Sequence, residues 1–313
     1  MHRRDFIALS SAALAGSSWR FLGDAHAQQP APAQQPAQPK FEAIRSGVGY
    51  FTARGGTIGW YIGKDAVVTV DTQFPDTARV CVDGLRERGG GRAIDVAFNT
   101  HHHGDHTSGN GIFKESAKKL VAHVRVPELQ KSVGQPPAGT ATPPPAPVVA
   151  DTTFADRWSE TIGGEQVTAR HYGPGHTGGD AVIHFEKAQV VHMGDLFFHE
   201  LHPRVDRPSG ASIRNWMRTL DTVAKEMDAA TIYIAGHARP GLPVTTGRKE
   251  LLRLRDYFEA VLNATQQAIS KGQSKDEFTK LSALPGFDTH QSSGTILTLA
   301  GVLGAAYDEL SPR

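Results

Sequence analysis

A single cysteine, Cys81, occurs in the 313 residues, so no internal disulfide can staple the chain and a disulfide scaffold is excluded. Cys81 falls in a helix-like run, Asp76 to Arg88, and reads as a small buried apolar residue. Neither sign of charge is in excess, with 33 Lys and Arg against 32 Asp and Glu. A polyanionic partner such as nucleic acid, which is gripped by clustered bases, is therefore not expected. No G-x-S-x-G run is present, which removes the serine nucleophile elbow. The one apolar stretch near the start, Ile7 to Trp19, is too short and too broken by Ser, Gly and the following Arg20 to cross a bilayer. No internal repeat is visible.

Histidine and aspartate, by contrast, are concentrated. Thr100-His101-His102-His103-Gly104-Asp105-His106 places His101, His103, Asp105 and His106 within six residues as H-x-H-x-D-H. If the run leaves a strand, alternation puts His101 and His103 on one side, and the turn that follows carries Asp105 and His106 to a second point nearby. Two ligand pairs at two points suggest two metals. Imidazole nitrogen and carboxylate oxygen suit Zn²⁺, and Fe or Mn accept the same donors. Further metal-type side chains stand where short strand-like runs meet loops: His176 in Gly-Pro-Gly-His-Thr-Gly-Gly-Asp, Asp195 after Val190-Val191-His192-Met193-Gly194, and His237 after Ile232 to Gly236.

The motifs THHHGDH, GHTGGD, MGD and AGH, in that order, resemble the metallo-β-lactamase-fold hydrolase superfamily over about Gly47 to His237. The resemblance implies that His101, His103 and His176 bind a first metal, that Asp105, His106 and His237 bind a second, and that Asp195 bridges them. Two Zn²⁺ ions so held would acidify a shared water and polarise a carbonyl, with Asp105 also orienting the nucleophile or moving a proton as a catalytic group. Asp71, at the end of Ala66 to Val70, matches the family's aspartate after this strand and would orient a ligand loop. The implied activity is hydrolysis of an ester, lactone, thioester or amide of a small molecule. Members of the main two-zinc β-lactamase subclass carry a cysteine where Asp195 stands and a lysine three residues later, where this chain has Phe198. That departure points to the broader hydrolase branch. An iron-dependent oxygenase of the same fold and a two-metal phosphodiesterase are the alternatives.

The first residues read as an export signal. Met1-His2-Arg3-Arg4-Asp5-Phe6-Ile7 has the twin-arginine pattern, and Ala25-His26-Ala27 offers a cleavage site before Gln28. Residues 1–27 resemble a Tat signal, which implies the Tat export machinery as a partner of the precursor and a periplasmic or secreted bacterial enzyme with no stable membrane anchor. Removing them takes three of the bases and two of the acids, so the remainder is formally neutral. Residues 28–40 read as a disordered Pro/Gln/Ala tether and 41–313 as one domain.

Within that domain, strands and helices alternate, which indicates an α/β fold. With the resemblance, this becomes an αβ/βα sandwich of two mixed β-sheets flanked by helices. Gln135 to Pro147 is a proline-rich exposed loop. Lys249 to Ile269 and Gly294 to Leu310 form a helical C-terminal cap with a core-packing role. His102 alternates away from its neighbours, and His123, His171, His184 and His192 sit in or beside strands as core imidazoles. His199, His202, Arg204 and Arg207 follow Asp195 closely enough to be substrate-contact candidates, the arginines for a carboxylate.

Overall fold

Residues 38–133 and 146–311 are described by the computed structural model. The signal-like segment, nearly all of the tether and most of the proline-rich stretch lie outside the described residues.

Seven strands form the first sheet in chain order: β1 (Lys40–Arg45), β2 (Val48–Thr52), β3 (Ile58–Ile62), β4 (Val67–Val70), β5 (Ile94–Asn99), β6 (Ala117–His123) and β7 (Thr152–Phe154). The first four pair antiparallel and the last four parallel. The change of sense follows from the connections. Short turns join β1 to β4, whereas α1 (Pro75–Arg88) crosses from β4 to β5, and α2 (Gly104–Thr107) with α3 (Asn110–Lys114) crosses from β5 to β6. After α4 (Arg125–Val133), the second sheet is built from β8 (Arg157–Ile162), β9 (Glu165–Arg170), β10 (Val182–Phe185) and β11 (Val190–His192). A small parallel pair, β12 (Phe198–His199) with β14 (His237–Ala238), stands apart. β13 (Ile232–Ile234) and β15 (Thr245–Thr246) complete the second sheet in the order β15-β13-β11-β10-β9-β8.

Alternating side chains make this a sandwich. Val68, Val70, Val96, Phe98 and Val121 of the first sheet share one buried cluster with Val167, Ala169, Ile183, Phe185 and Val190 of the second. The opposite face of the first sheet carries Val67, Ala97, Leu120 and Ala122 against Cys81, Val82 and Leu85 of α1 and Phe113 of α3. Helices α5 (Ile213–Glu226), α6 (Arg248–Ser270), α7 (Lys275–Phe278) and α8 (Leu299–Leu310) follow. Trp216, Leu220, Leu251, Phe258, Val302 and Leu303 from α5, α6 and α8 pack with Val182, Val191 and Tyr233 on the outer face of the second sheet. The α/β sandwich of two mixed sheets between helices is the architecture expected from the sequence.

Two boundaries differ from expectation. The first strand starts at Lys40, inside the stretch read as tether. The last helix starts at Leu299, capped by the Thr298 side chain, and does not include Gly294. Residues 293–297 instead close a turn, with paired backbone bonds between Ser293 and Leu297. Glycine at 294 with φ of 59° favours that turn over a helical start.

Trp216 joins the helical layer to the loop after β11. It is fully buried, its indole Nε1 donates to the Leu196 carbonyl at 2.9 Å, and its ring lies 5.6 Å from that of His176. Trp216→Ala should cost about 3–5 kcal/mol in urea unfolding, through the cavity and the freed carbonyl. A loss under about 1 kcal/mol would contradict this anchoring role.

Candidate metal centre

Strand β5 ends at Asn99, the chain bends through Thr100, His101 and His102, and His103 is extended, with φ of −64° and ψ of 147°, before α2 begins. That geometry turns His101 and His103 towards His176. His101 Nε2 lies 3.1 Å from His103 Nδ1, and His103 Nδ1 lies 2.8 Å from His176 Nε2. On the other side of Asp195, His106 Nε2 is 3.3 Å from His237 Nε2, and His237 Nε2 is 3.1 Å from Asp105 Oδ2. Asp195 stands between the two groups with its oxygens divided. Oδ2 is 3.4 Å from His176 Nε2 and 3.8 Å from His101 Nε2, while Oδ1 is 3.0 Å from His106 Nε2 and 3.4 Å from His237 Nε2. The structure therefore brings together all seven residues singled out in the sequence: His101, His103, Asp105, His106, His176, Asp195 and His237.

Hydrogen bonds on the far side of four of the five rings fix which nitrogen faces inward. His106 Nδ1 donates to Asp71 Oδ2 at 2.8 Å. Thr100 Oγ1 also donates to Asp71 Oδ2 at 2.8 Å, and it accepts from His101 Nδ1 at 3.0 Å. Asp71 thus orients one imidazole from each group, and accepts from the Thr100 amide as well. His103 Nε2 donates to Asp206 Oδ2 at 2.8 Å, and His176 Nδ1 donates to the Arg204 carbonyl at 2.7 Å. Each tautomer leaves an inward lone pair, which is the form a metal requires. Backbone closeness holds Asp195 in place. Gly194 has φ of 51°, and a Cβ there would fall 2.5 Å from Thr100 Oγ1; a Cβ on Gly236 would fall 2.1 Å from Asp195 Oδ1.

These donors fit metal ions. Four ligands at about 2.0 Å from a tetrahedral centre stand about 3.3 Å apart, close to the spacings above. With His106 in its neutral, Nδ1-protonated form, the buried Asp195 Oδ1 is left without a hydrogen-bond donor, an arrangement a cation satisfies.

The family model described as the metallo-beta-lactamase superfamily matches residues 52–237, which contain every residue of this cluster. The chain belongs to that superfamily. A probable metallo-hydrolase of Methanocaldococcus jannaschii is 27% identical over 187 residues, 58% of this chain and 86% of the relative. Among solved structures, the stereoselective inverting sec-alkylsulfatase of a Pseudomonas species superposes with a TM-score of 0.67 at 17% identity, over 87% of this chain and 50% of its own. This chain spans about half the length of that alkylsulfatase. A metallo-beta-lactamase from Pontibacter korlensis gives 0.59 at 16% identity, over 71% of this chain and 99% of its own. Membership makes this chain a metal-dependent hydrolase of the metallo-beta-lactamase fold, a fold that binds divalent metal ions, and the His/Asp clusters have the donors to hold them.

A cleft of about 420 Å³ opens onto that centre. His103, Asp105, Asp195 and His237 form its floor, and Phe74, Arg204 and the 293–297 turn form its walls. Of the four contact candidates named from sequence, only Arg204 lines it. His199 Nδ1 is bonded to the Pro243 carbonyl, His202 Nδ1 to the Tyr257 hydroxyl, and Arg207 to the Ala211 carbonyl and Glu309. Burying those polar groups required local partners, and the partners turn them from the cleft. His192 has a supporting role, its Nδ1 accepting from the Gly194 amide beside Asp195. His102 faces Asp206 and not Asp195: its Nε2 lies 3.2 Å from Ser209 Oγ and 3.6 Å from Asp206 Oδ2. Sequence reading missed Asp206, Phe74 and the 293–297 turn.

Burial pushes His176 down to about 3 and holds His101 well below the ordinary histidine value. Burial also opposes charge at His106 and His237, yet the Asp195 carboxylate, with Asp105 beside it, wins. His106 is held well above the ordinary value and His237 is raised to about 9. In metal-free protein His106 and His237 thus start protonated, and His101 and His176 neutral. A protonated imidazole must lose its proton before its nitrogen can bind metal. Zinc added to unbuffered metal-free protein at about pH 7.5 should release protons chiefly while the Asp105/His106/His237 group fills. His237→Ala should reduce that release; undiminished release would contradict the assignment.

Proposed function

We propose that this chain is an exported dinuclear zinc hydrolase that cleaves an ester, lactone, thioester or amide bond of a small molecule, with β-lactam amides among the candidates. The observation that carries the reading is the divided carboxylate of Asp195, one oxygen toward each group of inward lone pairs. His101, His103 and His176 would hold the first ion, and Asp105, His106 and His237 the second. Bound there, the ions would supply an acidified water and Lewis-acid polarisation of the scissile carbonyl. Fe or Mn would fit the same donors.

The remaining work falls to the chain's own groups. Asp105 is the second-group residue whose carboxylate is also partly exposed to the cleft, and it is held ionised chiefly by His106 and His237 against burial. It can orient the attacking water and accept its proton. Arg204, 40% exposed on the cleft wall, can neutralise charge developing on a substrate oxygen. No thiol competes as nucleophile, because Cys81 is buried under α1. Ser209 is occupied with Asp206.

Elemental analysis of active protein should find about two metals per chain; one metal at full activity would overturn the dinuclear reading. In metal-replete Asp105→Asn, turnover should fall more than tenfold, about 1.4 kcal/mol or more in barrier, and near wild-type turnover would remove Asp105 from the mechanism. A panel of lactams, lactones, thioesters, phosphodiesters and, given the alkylsulfatase likeness, sulfate esters would assign the bond cleaved.

Export rests on the twin arginines and the Ala-His-Ala site. No described helix is long and apolar enough to cross a membrane. Arg3-Arg4→Lys-Lys should keep the precursor inside the cell, since the receptor reads the arginine pair and not charge alone. Equal periplasmic yield would rule out Tat dependence, and the mature N-terminus should lie near Gln28.

A further inference from the structure

The turn 293–297 lies outside the segment that the superfamily model matches, yet it walls the cleft over the metal ligands. Beside Ser293 and Thr295 it presents two large apolar side chains. Ile296 is 59% exposed at the tip, and it shares the wall with Leu297 and with Phe74 from the other side of the opening. A lone exposed isoleucine on a protein surface is ordinary. This one stands over a floor of imidazoles and carboxylates, so a molecule whose polar group reaches the floor lays its next few atoms along Ile296.

The root of the turn is fixed to the metal centre's own support. Gln291 N donates to the Glu200 carbonyl and His202 N donates to the Gln291 carbonyl, each at 3.1 Å. That pairing docks the segment on residues 200–202, just before the loop whose Arg204 carbonyl and Asp206 carboxylate orient His176 and His103. Next to it, His290 stacks on Tyr257 at 4.7 Å with 7° between the rings. On the far side, Thr298 caps α8. Both ends of the turn are anchored, and its apolar tip is held at a set height above the floor.

We propose that the Ser293–Leu297 turn is the specificity-determining wall of this enzyme, and that it selects substrates bearing a flexible alkyl or acyl arm beside the bond that is cleaved. A cleft of about 420 Å³ is within the usual size of small-molecule sites. The inference rests on the proposed reaction site, because the arm is placed by a head group on the floor.

Straight-chain carboxylates from acetate to octanoate serve as inert probes, their binding to zinc-loaded full-length protein being measured by calorimetry without any turnover. Burial of each added methylene against the wall should tighten binding roughly threefold to fourfold. Ile296→Ser should flatten that series to less than twofold per methylene, and Ile296→Leu should restore it. Identical slopes in wild type and Ile296→Ser, or a flat series in wild type, would overturn the proposal. Chain-length dependence without hydrolysis of any panel substrate would overturn the proposed bond classes and leave the wall standing, so the two failures are distinguishable. The same series run with Arg204→Gln should shift every chain length together, since that side chain meets the head group; a change in slope there would assign the arm to the wrong wall.

Discussion

The structure depends on one buried carboxylate. Asp195 is 5% exposed and lies among four inward-facing imidazoles, two on each of its oxygens. A charge so placed is tolerable only where opposite charge is concentrated on it. Its position comes from strand ends. β11 delivers Asp195, β13 delivers His237, and β5 delivers the histidine run, so ligands distant in sequence meet at one edge of the sandwich. Glycines at 194 and 236 let the backbones approach closely enough for this, since a side chain at either would occupy the space of Thr100 or of Asp195 itself.

Around that carboxylate, two further acids divide the support. Asp71, with φ of 68°, reaches both His106 directly and His101 through Thr100. Asp206 holds His103, and its neighbour Arg204 holds His176 through a backbone carbonyl. The first group is therefore gripped from two sides of the sandwich and the second mainly from one. This asymmetry matches the electrostatics, in which His101 and His176 are held neutral by burial while His106 and His237 are drawn toward the charged form by Asp195 and Asp105.

Much of this centre was legible in the chain because its ligands obey local rules. His101, His103, Asp105 and His106 lie within one strand-to-helix turn, and His176, Asp195 and His237 each follow a short β-branched run, so local context marks them as candidates and the family resemblance sorts them into two sets. The sandwich was legible through strand alternation, as at Leu120, Val121 and Ala122, which divide between two cores. Asp206 was not, because nothing near it in sequence distinguishes it from a solvated loop acid; its meaning comes from His103, 103 residues away. The 293–297 turn was hidden for a related reason. Leu297, Leu299, Val302 and Leu303 continue a helical-looking apolar pattern, and only the pairing of Ser293 with Leu297 shows where helix yields to turn. His102 lies beyond the end of β5, where the backbone bends through residues 100–102, and it faces Asp206 while His101 and His103 present ring nitrogens to the centre.

Charge accounting ties the centre to its cleft. If two divalent cations are held as proposed, their four positive charges face four carboxylates, those of Asp105 and Asp195 among the ligands and of Asp71 and Asp206 bonded behind them. The buried centre is then close to neutral, which is what a low-dielectric interior tolerates best. Arg204 remains as the unbalanced charge on the wall, 3.5 Å from Asp206 and partly open to solvent. A positive group over a neutralised floor favours a substrate whose reacting end carries or develops negative charge, while Phe74 and Ile296 offer that substrate's remainder only apolar contact. If the substrate reacts as proposed, that polarity orients it, with the reacting end on the floor and the apolar remainder along the wall.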